Sequence, residues 1–197
     1  MNKGDLTKER IIEAAAPVFN RNGFVGTSLS DLMEATGLQK GGIYRHFKSK
    51  EELAVAAFDH AWQVARKIRW LDVDKTEGAI GQLQKLVANF VERRTGLVQG
   101  GCPVLNTAID SDDGNPVLRE NVRKALQQWA KGICDIVAAG IQSHEIRRDV
   151  DPQAVATMLI SALEGAIMMT RLQESTQPFE KVREYLNSFL ESLAETS

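Results

Sequence analysis

Apolar residues recur every three or four positions along almost the whole chain, which predicts one helix after another. Ile11, Ala15, Val18 and Phe19 form the first stripe, and Gly23 followed by Thr27 and Ser28 marks its end and the next start. Leu29, Leu32, Met33 and Thr36 form a second, short stripe closed by Gly37. Ser28 is placed to cap that helix, with Asp31 in the first turn to favour its positive end. Ile43 and Phe47, four apart, give a third helix its inward face. Ser49 and Glu52 then fit a capping box, serine to the third helical N–H and Glu52 back to the cap. A long fourth helix follows through Leu53, Ala57, Ala61, Ala65 and Ile68.

The same period continues in the remainder. Ile80, Leu83, Val87, Phe90, Val91 and Leu97 predict a helix, and Gly100-Gly101 a break after it. Cys102-Pro103-Val104-Leu105 opens a short helix with proline in its first turn. Asp110 to Pro116 is the longest turn signal; its glycine falls at the fifth place of the run, so it matches a calcium loop only superficially. Asn115 is a cap for a helix whose inner face is Leu118, Val122, Leu126, Trp129, Ile133, Ile136, Val137 and Ile141. Asp151-Pro152 starts another, which carries Met158, Ser161, Ala162, Gly165, Ala166 and Met169 as a stripe of small and flexible residues. The last helix carries Val182, Tyr185, Leu186, Phe189, Leu190 and Leu193.

Composition changes this picture little, but charge does. The 197 residues are 43% hydrophobic and 25% charged, an ordinary balance for a soluble chain. No leader pattern opens the sequence, and the most apolar segment, Val155 to Met169, is interrupted by Glu164, so a cytoplasmic protein without a membrane span is expected. Cys102 and Cys134 have no paired spacing, and His60 and His144 are isolated, so neither disulfide nor metal nor cofactor is expected. Residues 1–50 hold eight Lys/Arg against five acids, a net of +3, whereas the remainder holds 16 against 21, a net of −5. A basic front on an acidic body points the front, and only the front, at a polyanion; chance produces imbalances of this size as well.

Two short helices joined by a tight turn at Thr36-Gly37-Leu38, with a third packed across them, form a helix-turn-helix unit. Gly37 supplies the left-handed backbone of the turn. Gln39, Lys40, Gly41 and Gly42 then fall at the N-terminal end of the second helix of the unit, where side chains meet base edges. Two consecutive glycines weaken a helix by roughly 1 kcal/mol each relative to alanine, and close approach of the backbone to DNA is the expected return. Tyr44, Arg45, His46, Lys48 and Lys50 surround that end with donors for phosphate oxygens, and Thr27 stands at a helix start that attracts anions. Any one of these lysines alone reads as a solvated surface charge; their convergence on one turn reverses the weighing.

Asn22-Gly23-Phe24, Gly26-Thr27-Ser28-Leu29-Ser30-Asp31-Leu32, Thr36-Gly37-Leu38, Gly41-Gly42-Ile43-Tyr44-Arg45-His46-Phe47 and Lys50-Glu51-Glu52-Leu53 together closely resemble the DNA-binding domain of the tetracycline-repressor (TetR) family over roughly the first 55 residues. The resemblance implies backbone contacts from Thr27, Tyr44, His46 and Lys50, and positions near bases for Gln39, Lys40 and Gly41. It also implies an all-α homodimer: a helix-turn-helix domain over 1–48, and a larger helical effector-binding and dimerisation domain over 49–197 with 49–70 as connecting helix. The last two long helices of such proteins build a four-helix bundle across a two-fold axis, here through Met158, Ser161, Ala162, Gly165, Met169, Val182, Tyr185 and Phe189. The bland alternative is a hairpin packed on its own domain.

For sensing, Trp62, Phe90, Leu97, Val104, Leu105, Trp129, Ile133 and Met158 are candidates for an apolar effector cavity, each also readable as plain core. Cys102, between Gly100-Gly101 and Pro103, is a candidate sensor thiol at a helix N-terminus, against the plainer reading of a small packed residue. The chain has no nucleophile–base pairing or Gly-rich phosphate loop, which argues against an enzyme. A pure dimerising scaffold would leave the basic constellation without a use. The expected function is a ligand-responsive regulator, a repressor released from a palindromic duplex operator by a small, largely apolar effector, with an oxidant- or electrophile-sensing switch through Cys102 as the alternative.

Overall fold

The structure, a computed structural model, describes residues 3–92 and 98–195. Among them lie nine helices: α1 Lys3–Gly26, α2 Leu29–Thr36, α3 Lys40–Tyr44, α4 Lys50–Arg69, α5 Ala79–Glu92, α6 Pro103–Ser111, α7 Pro116–Gln142, α8 Pro152–Leu172 and α9 Gln177–Glu191. The chain forms two compact units, one of residues 1–65 with 97–125 and one of residues 66–96 with 126–197, so α4 and α7 contribute to both.

In the first unit Ile11, Ala15 and Ala16 of α1 close on Leu32 of α2, Ile43 of α3, Phe47, and Leu53 and Ala57 of α4. These are apolar positions of the first four helices, and burying them is what orders α2 and α3, two helices too short to persist alone. The ends are fixed locally. Asp31 N–H donates to Ser28 Oγ at 3.1 Å while Ser28 N–H donates to Asp31 Oδ2 at 2.7 Å, a reciprocal cap. The hydrogen bonds to Ser28, backbone first and then hydroxyl, hold the Asp31 carboxyl below the usual carboxylate range. At α4, Glu52 N–H donates to Ser49 Oγ at 3.0 Å as expected, but the Glu52 carboxylate accepts from Lys48 N–H at 2.6 Å, one residue before the cap.

Gly23 (φ 72, ψ 175) breaks α1 where the sequence predicts its end. The turn signal at Asp110–Pro116 is shorter than expected: α6 runs on through Ser111, and Asp110 belongs to its last turn. Asn115 does cap α7, accepting from Leu118 N–H at 2.9 Å. Along α7 the buried positions are Leu118, Val122, Ala125, Trp129, Ile133 and Val137. Leu126 is 41% exposed, a correction to the expected inner face, because the strict three-and-four spacing puts Ala125 inward and its neighbour outside.

In the second unit Leu83, Leu86, Val87 and Phe90 of α5 are buried along with Trp129 and Ile133 of α7, Leu159 and Leu163 of α8, and Leu186 and Leu190 of α9. Glu145 caps α5 from a distance, its carboxylate accepting from Ala79 N–H at 2.6 Å and Ile80 N–H at 2.9 Å. Asp151 caps α8 through Gln153 N–H at 2.9 Å.

Candidate nucleic-acid interface

The turn between α2 and α3 is made by Gly37 in the left-handed region (φ 68, ψ 16), where a side chain would be strained. Thr36 tightens it: its hydroxyl donates to Leu32 O at 2.7 Å and accepts from Leu38 N–H at 3.3 Å. α3 then begins at Lys40 with Gln39 as its cap residue, whose side chain makes no capping bond. Gln39, Lys40, Gly41, Tyr44, Arg45 and Lys48 are exposed around this end, whereas Ile43 and Phe47 point into the core. His46 and Lys50 are half-buried, and Lys50 Nζ lies 4.6 Å from the centre of the Phe24 ring, which holds that ammonium beside α1.

The two adjacent glycines differ in role. A Cβ on Gly41 would meet nothing within 4 Å, so the fold itself does not require glycine there. A Cβ on Gly42 would stand 3.3 Å from Leu38 Cβ, so Gly42 serves the packing of α3 on its own turn. Packing within the fold therefore accounts for Gly42 and not for Gly41.

Thr27 departs from its expected part. Its residue is 1% exposed and its hydroxyl donates to Gly23 O at 2.6 Å, so the side chain is spent on the α1 kink and is not presented outward. The kink is pinned from α6: Asp110 Oδ2 accepts from Phe24 N–H at 2.6 Å. Nearby, Asn20 Nδ2 donates to Gln99 O at 3.0 Å and Gly101 O at 3.2 Å, and Asn106 Nδ2 returns to Asn20 O at 2.8 Å and Gly100 O at 2.9 Å. No periodicity flags these polar residues in the sequence, because their partners are backbone atoms far along the chain.

The effector candidates are divided between the two units. Trp62, Cys102, Val104 and Leu105 belong to the first unit, Phe90, Trp129, Ile133 and Met158 to the second, and Leu97 lies outside the described residues. Phe90 and Trp129 do come together, their rings stacked with centroids 5.6 Å apart. Met158 is 48% exposed on the outer side of α8, which fits a surface and not a cavity wall. Cys102 is 1% exposed at the start of α6, and burial with the Asp135 and Asp151 charges pushes the Cys134 thiol up.

On α8 and α9, Met158, Ser161, Met169 and Tyr185 are exposed, while Ala162, Gly165, Val182 and Phe189 are half-buried. Met168 and Leu172 join them at helical spacing, at 52% and 79% exposure, and a Cβ on Gly165 would meet nothing within 4 Å. The opposite face of the same helices carries Leu159, Leu163, Leu186 and Leu190 in the core, so the pair packs on its own unit and still presents an apolar side.

A helix-turn-helix with an exposed basic reading end, followed by a helical body, defines a DNA-binding regulator. Residues 11–57 match the bacterial regulatory proteins, tetR family, and residues 79–186 match the tetracyclin repressor-like C-terminal domain. A TetR transcriptional regulator from Chloroflexus aurantiacus has a crystal structure that superposes with TM-score 0.94 at 42% identity over 100% of both chains. One from Cytophaga hutchinsonii superposes with TM-score 0.93 at 36% identity over 100% of this chain and 99% of that one. The HTH-type transcriptional repressor DhaR of Mycobacterium sp. (strain GP1) is 25% identical over 88% of this chain and 87% of its own. The chain belongs to the tetracycline-repressor family of transcriptional regulators, and it is not an enzyme.

Proposed function

We propose that this regulator is a cytoplasmic homodimeric repressor that binds an inverted-repeat duplex operator and is released by a small, largely apolar effector. The observation that carries the reading is the exposed end of α3, where Gln39, Lys40 and Gly41 stand free of internal packing beside Tyr44, Arg45, His46, Lys48 and Lys50. In this reading Gln39, Lys40 and Gly41 meet base edges, and the others hold phosphates and set register. Residues 1–48 act as head and 49–197 as body. The apolar side of α8 and α9 supplies the contact with a second copy, the two-fold axis being mirrored in the operator. DhaR, itself a repressor by name, supports the sign of regulation.

The effector reading draws on the apolar interior of the second unit, where Phe90, Trp129 and Ile133 are buried. An effector that prefers one geometry of the body shifts the population away from the DNA-competent form by its differential affinity. Burial of Cys102 keeps thiol sensing second. A mobility-shift titration with a random-sequence duplex pool, with and without candidate small molecules, tests both parts. Saturable retention of a subset of duplexes and its loss on adding an effector support the reading, whereas uniform weak retention contradicts it.

A further inference from the structure

At the C-terminal end of α4, Arg69 is 3% exposed, yet among the described residues its guanidinium takes part in no ion pair and donates no hydrogen bond; Nη1 is fully buried without an acceptor. Its carbon lies 4.2 Å from the centre of the Phe90 ring and 4.9 Å from that of Trp129, the two rings that stack on each other. The rings favour a cation but carry no net charge, so they leave the buried Nη1 donors and the positive charge without a matching acceptor. The position is also rigid. Asn89, next to Phe90, donates to Arg69 O at 3.0 Å and Leu71 O at 2.8 Å, fastening the end of α4 to α5. A surface arginine at a helix C-terminus needs no such arrangement; it simply faces water and the helix dipole.

We infer that Arg69 is the anchoring cation of an effector site whose ligand is a small organic monocarboxylate with an apolar body. The guanidinium fork matches the two oxygens of a carboxylate, and a single negative charge balances it, where a phosphate dianion would leave a buried excess. Phe90, Trp129 and Ile133 supply the apolar surroundings for the rest of the ligand. The inference rests on the reading of the second unit as the effector-binding part and names the class of effector.

The test is calorimetric titration of the full-length protein with benzoate and with octanoate, each against its neutral amide. At least one carboxylate binds more tightly than its amide by about tenfold or more, the scale of a charge-assisted hydrogen-bond pair. The difference vanishes in Arg69→Met and survives in part in Arg69→Lys, which keeps the charge and loses the fork. Equal binding of acid and amide, binding of neither acid, or an undiminished difference in Arg69→Met overturns the assignment. Ligand-free Arg69→Met is expected to unfold no earlier in denaturant than the wild type, since it removes a buried charge; a variant too unstable to titrate makes the guanidinium structural and overturns the assignment too. DNA release separates the two layers: an acid that binds through Arg69 without loosening DNA leaves the site standing and removes its effector role. A compound that releases DNA while neither acid binds does the reverse.

Discussion

Asp110 in the last turn of α6 holds the amide of Phe24 at 2.6 Å, directly after the glycine at which α1 breaks. The bond fixes the exit angle of α1, and the next residues, through Thr27 and its hydroxyl bond to Gly23 O, lead into the cap of α2. A helix of the first unit thus helps to set the position of the helix-turn-helix through a charge-assisted contact, beside the Asn106 bond to Asn20 O. Gly23→Ala drives a methyl into the Asp110 carboxylate at φ 72, so it should destabilise the fold by roughly 1–3 kcal/mol, measured by chemical denaturation. Stability equal to wild type would mean that the kink is not held as described.

Asp110→Ala removes the same contact without adding bulk. DNA affinity should fall while dimer dissociation, followed by sedimentation, stays unchanged, because the α8 and α9 residues proposed for the interface lie in the other unit. Intact DNA affinity in a folded Asp110→Ala protein would remove the positioning role.

In the reading head, Tyr44→Ala or Lys50→Ala should weaken binding to all duplexes and flatten its dependence on salt, since each lost phosphate contact removes about one released counterion. Lys40→Ala should change which sequences are preferred. Gly41→Ala leaves the fold undisturbed, as open space surrounds its Cβ, and should still lower DNA affinity. Salt slopes and denaturation curves measured together separate these effects from misfolding.

Gly165→Leu fills open space on the outer side of α8 in one protomer and should push a partner away, raising the dimer dissociation constant by tenfold or more, about 1.4 kcal/mol. An unaltered constant by sedimentation equilibrium would place Gly165 outside the interface.

The Ser28–Asp31 cap gives a pH signature. Asp31 is depressed from 3.8 by its bonds to Ser28, so the folded state gains from its ionised form above that value and loses the gain as pH falls through the lower folded value. Asp31→Asn should therefore melt earlier than wild type at pH 7, with the gap closing below pH 3.8. A gap that is constant with pH would mean the carboxylate charge is irrelevant to the cap.

The head was legible because its signals are local. Ser28, Gly37 and Asp151 each act within three residues of themselves, and the apolar period of α1 to α4 maps directly onto the core. Membership of the family was legible for the same reason, in the run from Asn22 to Leu53. Thr27 was placed by its position at a helix start, and the bond of its side chain to Gly23 O appears only once the kink is formed. Leu126 misled because it follows Ala125 in the sequence and the larger side chain drew the assignment, although one step along a helix turns it about 100° away. Arg69, Asn20 and Asn106 carried no signal at all, and Asp110 only that of a turn, since what makes each of them special is a partner tens of residues away or a burial that only packing creates. The apolar effector candidates were chosen by hydrophobicity and Cys102 by its place at a helix start, and neither signal tells which of two compact units a side chain joins.

Selection of bound sequences from random duplexes by the full-length protein, repeated with Lys40→Ala, tests the central claim most directly. The account predicts enrichment of an inverted repeat with half-sites on one face of the duplex, and a changed preference inside both half-sites for the variant. No enriched sequence, or a preference that Lys40→Ala leaves untouched within a single asymmetric site, would contradict it.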